Sequence, residues 1–462
     1  MIPVITPEQA RAADAASPVP IGELIARAGS AVARAAIRLM GGTYGRTVVV
    51  IAGPGNNGAD GRHAGRLLAE HGCRVITVST DALMRSIDDI VGPATGGADL
   101  VIDAAFGTGF RGSWSPPDVG DVPVLAVDVP SGLDAISGRA GAVLPAALTV
   151  TFQAAKPGHL MGDGPRLAGR LEVVDIGLAL GEPHAMLATD DDVAAWLPQR
   201  EITAHKWSVA VHLVAGSESM AGAGILSARG AFRAGAGMVR WSHPGPVVID
   251  PIEAVHERLP ASDWAASVLD DVHRFGALII GPGLGRRGEV PAEAASLIFG
   301  SSLPVVVDGD GLFALTWNPH GSPASLRSRT GPVVLTPHDG EYATLLGDGP
   351  GDDRIAAANR LVAETGAVVL LKGPTTVVAG PDGRTWLVDA GDQRLATAGS
   401  GDVLSGVIGA FLASGMSATT AAVAGAHVHG LAGQRCALGA TASDISAAVP
   451  LVLSELTAGR GS

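Results

Sequence analysis

The sequence predicts an α/β protein of two domains, each a three-layer arrangement with a parallel sheet between helices. Short runs dense in Val, Ile and Leu, such as Thr47–Ala52 and Val368–Leu371, have the composition of strands buried on both faces. Most of these runs end in a loop of glycine and polar residues, and several are followed by helical spacing. That alternation of strand, loop and crossover helix builds a parallel sheet. A chain of 462 residues is long for one domain and comfortable for two.

Composition excludes several classes of function. The net charge of −13 argues against a nucleic-acid partner. No run of about eighteen apolar residues lacks glycine or charge, so no membrane span is expected. The first residues, MIPVITPEQARAADAA, lack an apolar signal core. Cys73 and Cys436 are the only cysteines and lie far apart, which leaves neither a disulfide framework nor a cysteine metal site. A soluble cytoplasmic protein is the expectation. The 64 glycines suit tight turns near ligands and closely packed helices, and such helices are also compatible with a homo-oligomer.

In chain order, 6–17 and 21–40 have helical spacing, the second with a core stripe of Ile21, Leu24, Ile25, Ala28, Val32 and Ile37. The strand Thr47–Ala52 runs into Gly53-Pro54-Gly55-Asn56-Asn57-Gly58-Ala59-Asp60-Gly61, with a helix expected from Arg62 to His71 and a strand over Arg74–Ser79. Residues 53–58 satisfy G-x-G-x-x-G, and Asp81 stands at the distance of a ribose partner, so a dehydrogenase is one reading. Against it, Asn56 and Asn57 would crowd a pyrophosphate and Asp60 would repel one. Two amides and a carboxylate better suit a hydroxylated ligand or a hard cation. Two further strands end at Asp103 and at Asp128-Val129-Pro130-Ser131, where open parallel sheets bind ligands. One such acid is usually a helix cap; several in succession favour a site.

The periodicity lapses over 177–184, so the domains are expected to be 1–185 and 186–462. Beyond it, strands at Val209–Ala215, Ala277–Ile280, Val305–Val307, Val333–Leu335 and Val368–Leu371 each open on a polar, glycine-rich loop. These loops carry Ala223, Gly283, Asp308 with Asp310, His338, and Lys372-Gly373-Pro374-Thr375-Thr376. Lys372 follows four apolar residues and suits a nucleotide phosphate, with Thr375 and Thr376 as hydroxyl donors. Asp308 and Asp310 fit either water-mediated Mg²⁺ binding or helix capping, and the sequence does not choose. His427 and His429, two apart on a helix, face different sides and read as packing residues. Gly399-Ser400-Gly401-Asp402 stands before the helical spacing of Leu404, Val407, Ile408 and Phe411. Amides at a helix mouth attract a phosphoryl group, which an acid repels, so Asp402 is read as the base that takes a hydroxyl proton. The plainer alternative is a helix cap.

With these motifs in view, GPGNNGADG, DAAFGTG, DVPSG and TVTFQAAKPG resemble the NAD(P)H-hydrate epimerase domain, the YjeF N-terminal domain with its Rossmann-like fold. The resemblance implies K⁺ held by Asn57, Asp103 and Ser131. It also implies contacts to the hydrated nicotinamide cofactor from Asn56, Asp60, Asp128 and the Gly107–Ser113 loop (Gly107, Thr108 and Gly109), with Asp103 also a candidate for proton transfer. Ala59 stands where that family usually has glycine. GSESMAGAG, RAGAGMV, GPGLG, TPHDGE, KGPTTV, ATAGSGDVLSG and AHVHGLAG resemble the ribokinase-like NAD(P)H-hydrate dehydratase, the YjeF C-terminal domain. That resemblance implies ADP as co-substrate with Mg²⁺, substrate contacts at Ala223, Gly283, His338 and Asp402, and nucleotide contacts at Lys372–Thr376 and at Gly399, Ser400 and Gly401. The small-molecule partners implied are the hydrates of NADH and NADPH. The alternative is a ribokinase-like vitamin-precursor kinase behind a non-catalytic binding domain.

Overall fold

Burial of the apolar runs organises both sheets. In the computed structural model Val48, Val49, Val50 and Ile51 are fully buried, each side chain contributing about 1.5–3 kcal/mol of hydrophobic stabilisation. The structure describes residues 1–80, 97–110, 112, 114–244, 250–260, 262–317 and 323–458. Asp81 lies outside these residues, as do Arg111 and Ser113 of the 107–113 loop. The chain divides into two compact units, Ile2–Met186 and Leu187–Ser462, the latter including Met1.

In the first unit, β1 (Ile2–Val4) is followed by β2 (Thr47–Ala52), β3 (Arg74–Ser79), β4 (Leu100–Ala104), β5 (Val124–Val127), β6 (Leu148–Phe152) and β7 (Arg170–Val174). Six strands form a parallel sheet in the order β3-β2-β4-β5-β6-β7. Between β2 and β4 the chain reverses its direction of winding, so the loops after these strands flank a crevice where ligands bind in open sheets. The helix Ile21–Met40 buries Leu24, Ala28, Val32 and Ala36. Ile21, assigned to that stripe by spacing, is instead 53% exposed. It stands in the helix's first turn, at the rim of a cleft.

The helix expected from Arg62 begins earlier, at Asn56, and runs to Glu70. Close backbone packing explains the shift. A Cβ at Gly58 would lie 1.9 Å from the Gly53 carbonyl oxygen, and one at Gly53 would lie 1.8 Å from that of Ala105. The glycines therefore let the chain turn into the helix directly off the strand, which puts Asn56 and Asn57 in its first turn.

A short strand β8 (Ala185–Leu187) precedes the second unit, which holds β9 (Ala210–Val214), β10 (Met238–His243), β11 (Val255–Arg258), β12 (Ala277–Ile280), β13 (Val305–Val307), β14 (Val333–Leu335), β15 (Val368–Leu371), β16 (Thr376–Ala379) and β17 (Thr385–Val388). Their order is β17-β16-β15-β14-β13-β12-β9-β10-β11. Pairing is parallel from β11 to β15 and antiparallel from β15 to β17. The reversal of winding falls between β9 and β12. Helices Ala221–Arg233 and Ser400–Ala413 meet backbone to backbone: a Cβ at Gly406 would lie 2.1 Å from the Ser227 carbonyl oxygen, and one at Gly230 2.4 Å from that of Val403. This approach carries the mouth of the second helix to the loop after β9. No described helix is long and apolar enough to cross a membrane.

Candidate functional site

Two sites occupy the strand ends, one in each unit. The first is a cleft of about 640 Å³. Asn56, Asn57, Asp60, Gly107, Thr108, Gly109 and Asp128 all line it, with Ile21, Leu24 and Ile25 along one wall. Asp103 and Ser131 stand apart from this lining, enclosed at 0% and 1% exposure. Ser131 donates its hydroxyl (2.6 Å) and its amide (2.9 Å) to the Asp103 carboxylate, and the Ala105 amide adds a longer contact at 3.3 Å. Burial raises the Asp103 carboxyl above the ordinary range, against these hydrogen bonds.

Both polar atoms of the Asn57 side chain are buried with no partner among the described residues. The same side chain lies against Gly107, where a Cβ would sit 3.5 Å from Asn57 Cβ and Cγ. Unsatisfied buried amide groups are costly, and an oxygen-coordinated cation beside Asn57, Asp103 and Ser131 would remove that cost for the carbonyl oxygen. An unpaired amide oxygen is the kind of donor an alkali cation takes.

Asp128, at φ 65°, faces a residue that the sequence reading passed over. Lys156 is 2% exposed, and its Nζ donates to Asp128 Oδ1 at 2.6 Å and to Thr151 Oγ1 at 2.8 Å. Burial pushes the Asp128 carboxyl up, but the Lys156 charge and its hydrogen bond outweigh this and leave it below the ordinary range. The His159 Nδ1 accepts from the Lys156 amide at 3.1 Å while Nε2 donates to the Asp128 carbonyl at 2.8 Å. Burial lowers the His159 pKa to about 4, which keeps the ring neutral. Lys156 is the lysine of the TVTFQAAKPG motif, just before Pro157-Gly158 and beyond an apolar strand.

In the second unit, Gly399 (φ 87°) precedes the helix Ser400–Ala413, whose first turn holds Asp402. The Gly401 and Asp402 amides lie in a turn that a helix cannot satisfy internally. No side-chain cap hydrogen bond closes this helix. Asp402 therefore does not cap its own helix. Beside it, Lys372 Nζ donates to Asp308 Oδ1 at 3.0 Å and stands 3.6 Å from Glu341 Oε2. A Cβ at Gly401 would be 3.5 Å from that nitrogen. Burial and the neighbouring Asp308 charge raise the Asp402 pKa to about 7, with Lys372 opposing. The Lys372 ammonium thus donates to Asp308 and interacts through space with Glu341 and Asp402.

His338 caps the helix Asp339–Leu346, its Nδ1 accepting from the Gly340 and Glu341 amides at 3.0 and 3.2 Å. Its own amide donates to Glu341 Oε2, which links it to the Lys372 cluster. Ala223 meets Gly283, where a Cβ would lie 2.7 Å from Ala223 Cβ. Leu226, one turn beyond Ala223, packs at Gly399, where a Cβ would lie 2.3 Å from its Cδ1. Gly373 and Pro374 are exposed, Thr375 is buried and Thr376 opens β16. Arg354 holds this loop through the Lys372 carbonyl at 2.7 Å.

Asp308 and Asp310 do not fit a resident Mg²⁺. Asp308 accepts from Thr336, Lys372 and Ser405, and Asp310 from the Gly285 amide and Arg286. Among the described residues no three acidic, His or Cys side chains are grouped to hold a metal. His427 pairs with Asp190 at 2.7 Å, and His429 is buried with a hydrogen bond to the Ser400 backbone at the helix mouth, so each does more than pack.

The family described as NAD(P)H-hydrate dehydratase matches residues 211–451, and that described as YjeF-related protein N-terminus matches 21–89 and 79–158. The bifunctional NAD(P)H-hydrate repair enzyme Nnr of Mycobacterium tuberculosis is 38% identical over 402 residues, covering 83% of this chain and 82% of that protein. The Escherichia coli protein of the same name is 33% identical, covering 89% and 84%. A Bacillus subtilis ADP/ATP-dependent NAD(P)H-hydrate dehydratase, co-crystallised with ATP and Mg²⁺, is 29% identical with a TM-score of 0.50 over 59% of this chain and 99% of that one. The chain belongs to the family of bifunctional NAD(P)H-hydrate repair enzymes.

Proposed function

We propose that the chain returns hydrated NADH and NADPH to their working form, using residues 1–185 to interconvert the C6 epimers and residues 186–462 to dehydrate the S epimer with ADP. The observation that carries the dehydratase half is Asp402, a carboxyl poised near neutrality beside the open amides of a helix mouth. Hydroxide leaves poorly, so the C6 oxygen must first be activated. Asp402 takes the hydroxyl proton while the oxygen attacks the β-phosphoryl group of ADP, held by the Gly399–Gly401 amides and the Lys372–Thr376 loop. AMP departs. The C6–O bond then breaks with push from the ring nitrogen, phosphate leaves, and loss of the C5 proton gives the dihydropyridine. Ala223, Gly283 and His338 border the hydrate. Mg²⁺, for which the protein's carboxylates offer no cage, would enter with the nucleotide phosphates.

In the first half Asn56, Asp60, Asp128, Gly107, Thr108 and Gly109 would bind the hydrate in the cleft. Asn57, Asp103 and Ser131 would hold K⁺, whose positive charge would steady the loops that bound the cleft. A cytoplasmic location and a homo-oligomer agree with this reading. The test is to add ADP to the S hydrate and follow reduced-nicotinamide absorbance together with AMP. Phosphorylation of an alcohol without absorbance gain would favour the kinase reading. For K⁺, the melting point of the first unit's transition should rise with added K⁺ and not in Asn57→Ala; an equal response in the variant would remove Asn57 from the ion site.

A further inference from the structure

The cleft of the first unit contains several ionisable groups, and their hydrogen bonds separate them by availability. Asp103 is enclosed behind the lining and held by Ser131 and Ala105. Lys156 Nζ is spent on Asp128, Thr151 and the Phe152 and Ala154 carbonyls. His159 uses both ring nitrogens. Asp14, from the helix Pro7–Ala16, is open to solvent. Asp60 differs from all of them. It lies one turn into the helix Asn56–Glu70, is 7% exposed and lines the cleft, and no hydrogen bond engages its carboxyl among the described residues.

We infer that Asp60 is the acid–base residue of epimer exchange, and that Asp128, fixed by Lys156, is the charge that positions it for this work. The inference rests on the epimerase reading of the first unit. The Asp60 carboxyl gives its proton to the C6 hydroxyl. The C6–O bond breaks and its electron pair leaves with water, while the ring-nitrogen lone pair forms a C6=N iminium. Water adds to the opposite face and returns one proton to the Asp60 carboxylate, so nothing is consumed. Asp128 supplies negative charge near the cationic intermediate, and Lys156 holds that charge in place.

The surroundings suit a carboxyl that carries its proton at neutral pH. Burial, then Asp128, then Asp14 raise the Asp60 pKa to about 8. The other charged groups at this place are Arg11 on the Asp14 helix, Lys156, and Arg62 and His63 on Asp60's own helix. Arg62 is turned to the Gly53 carbonyl at 2.8 Å and His63 to Arg66. The helix Ile21–Met40 faces the cleft with Ile21, Leu24, Ile25 and Ala28.

The test uses the full chain without ADP, an R-enriched NADH hydrate, and chromatographic separation of the epimers. The wild-type rate should be level at neutral pH and fall about tenfold per unit above about pH 8, where the acid form is lost. Asp60→Asn should cut exchange at least ~100-fold in kcat at saturating hydrate, a loss that a weakened binding contact alone would not produce. Each exchange in ¹⁸O-water should place solvent oxygen at C6. The calorimetric transition of the first unit, at wild-type temperature and enthalpy, reports that the variant is folded. Should Asp60→Asn fail to fold, Asp14→Asn decides instead, since it should move the alkaline limb to lower pH. Exchange within about threefold of wild type in Asp60→Asn, an unmoved limb in Asp14→Asn, or exchange without label would overturn the inference. A wild type no faster than the enzyme-free rate would overturn the epimerase reading itself, and the inference with it.

Discussion

At the scale of single residues, the chemistry of the second unit turns on the ionisation of Asp402. As a base it works only when deprotonated, so dehydration should rise with pH through about 7 and level above it, measured as initial rates at saturating ADP. Asp402→Asn should lower kcat by about 10²–10⁴ and leave ADP affinity near wild type; unchanged turnover would contradict the role. The same raised pKa has a stability consequence. A folded-state value above the unfolded one contributes stability that is complete below about 4 and lost as pH rises through about 7. Asp402→Asn should therefore melt about 2–4 °C above wild type at pH 8 and level with it at pH 4. Asp402 drew attention in the sequence because an acid after Gly-Ser-Gly is anomalous at a phosphate-binding mouth. Its near-neutral pKa was not readable, since it arises from burial and from Asp308, 94 positions away. The Lys156–Asp128 pair was hidden for a similar reason, because a lone lysine after a strand looks like a solvated one.

At the scale of elements, the glycines set what the helices can do. Gly406→Val would push a side chain into the Ser227 carbonyl and part the helices Ala221–Arg233 and Ser400–Ala413. The expected loss is about 1–3 kcal/mol in the urea midpoint, with dehydration falling alongside because Gly399 moves off Leu226. An unchanged midpoint would mean that the contact is not close. The continuous apolar strands were the most legible elements, since burial on both faces leaves no other reading for runs as short as Val305–Val307. Helix starts were less so. Asn56 and Asn57 looked like loop residues, and only the backbone approach of Gly53 and Gly58 brings the helix forward to them. The antiparallel pair β16–β17 was missed although Gly380-Pro381-Asp382-Gly383 is a hairpin signal.

At the scale of the whole molecule, the strand–loop–helix alternation gave a mostly parallel α/β architecture in two units, as the structure has it. In the first sheet the catalytic proposal falls at the reversal of winding, β2/β4, whereas in the second Asp402 stands beside Asp308, Glu341 and Lys372, which follow β13, β14 and β15. This convergence of distant loops is what no single motif could convey. Linkage gives a test for each unit by itself. ADP at about 100 times its Kd should stabilise the second unit by about 2.7 kcal/mol and leave the first unit's transition in place by calorimetry. The most direct measurement is the stoichiometry of dehydration. The S hydrate of NADH and ADP should yield equal amounts of NADH, AMP and phosphate with the wild type, and Asp402→Asn should form none at a comparable rate. NADH formed without AMP, or at an undiminished rate in the variant, would contradict the account.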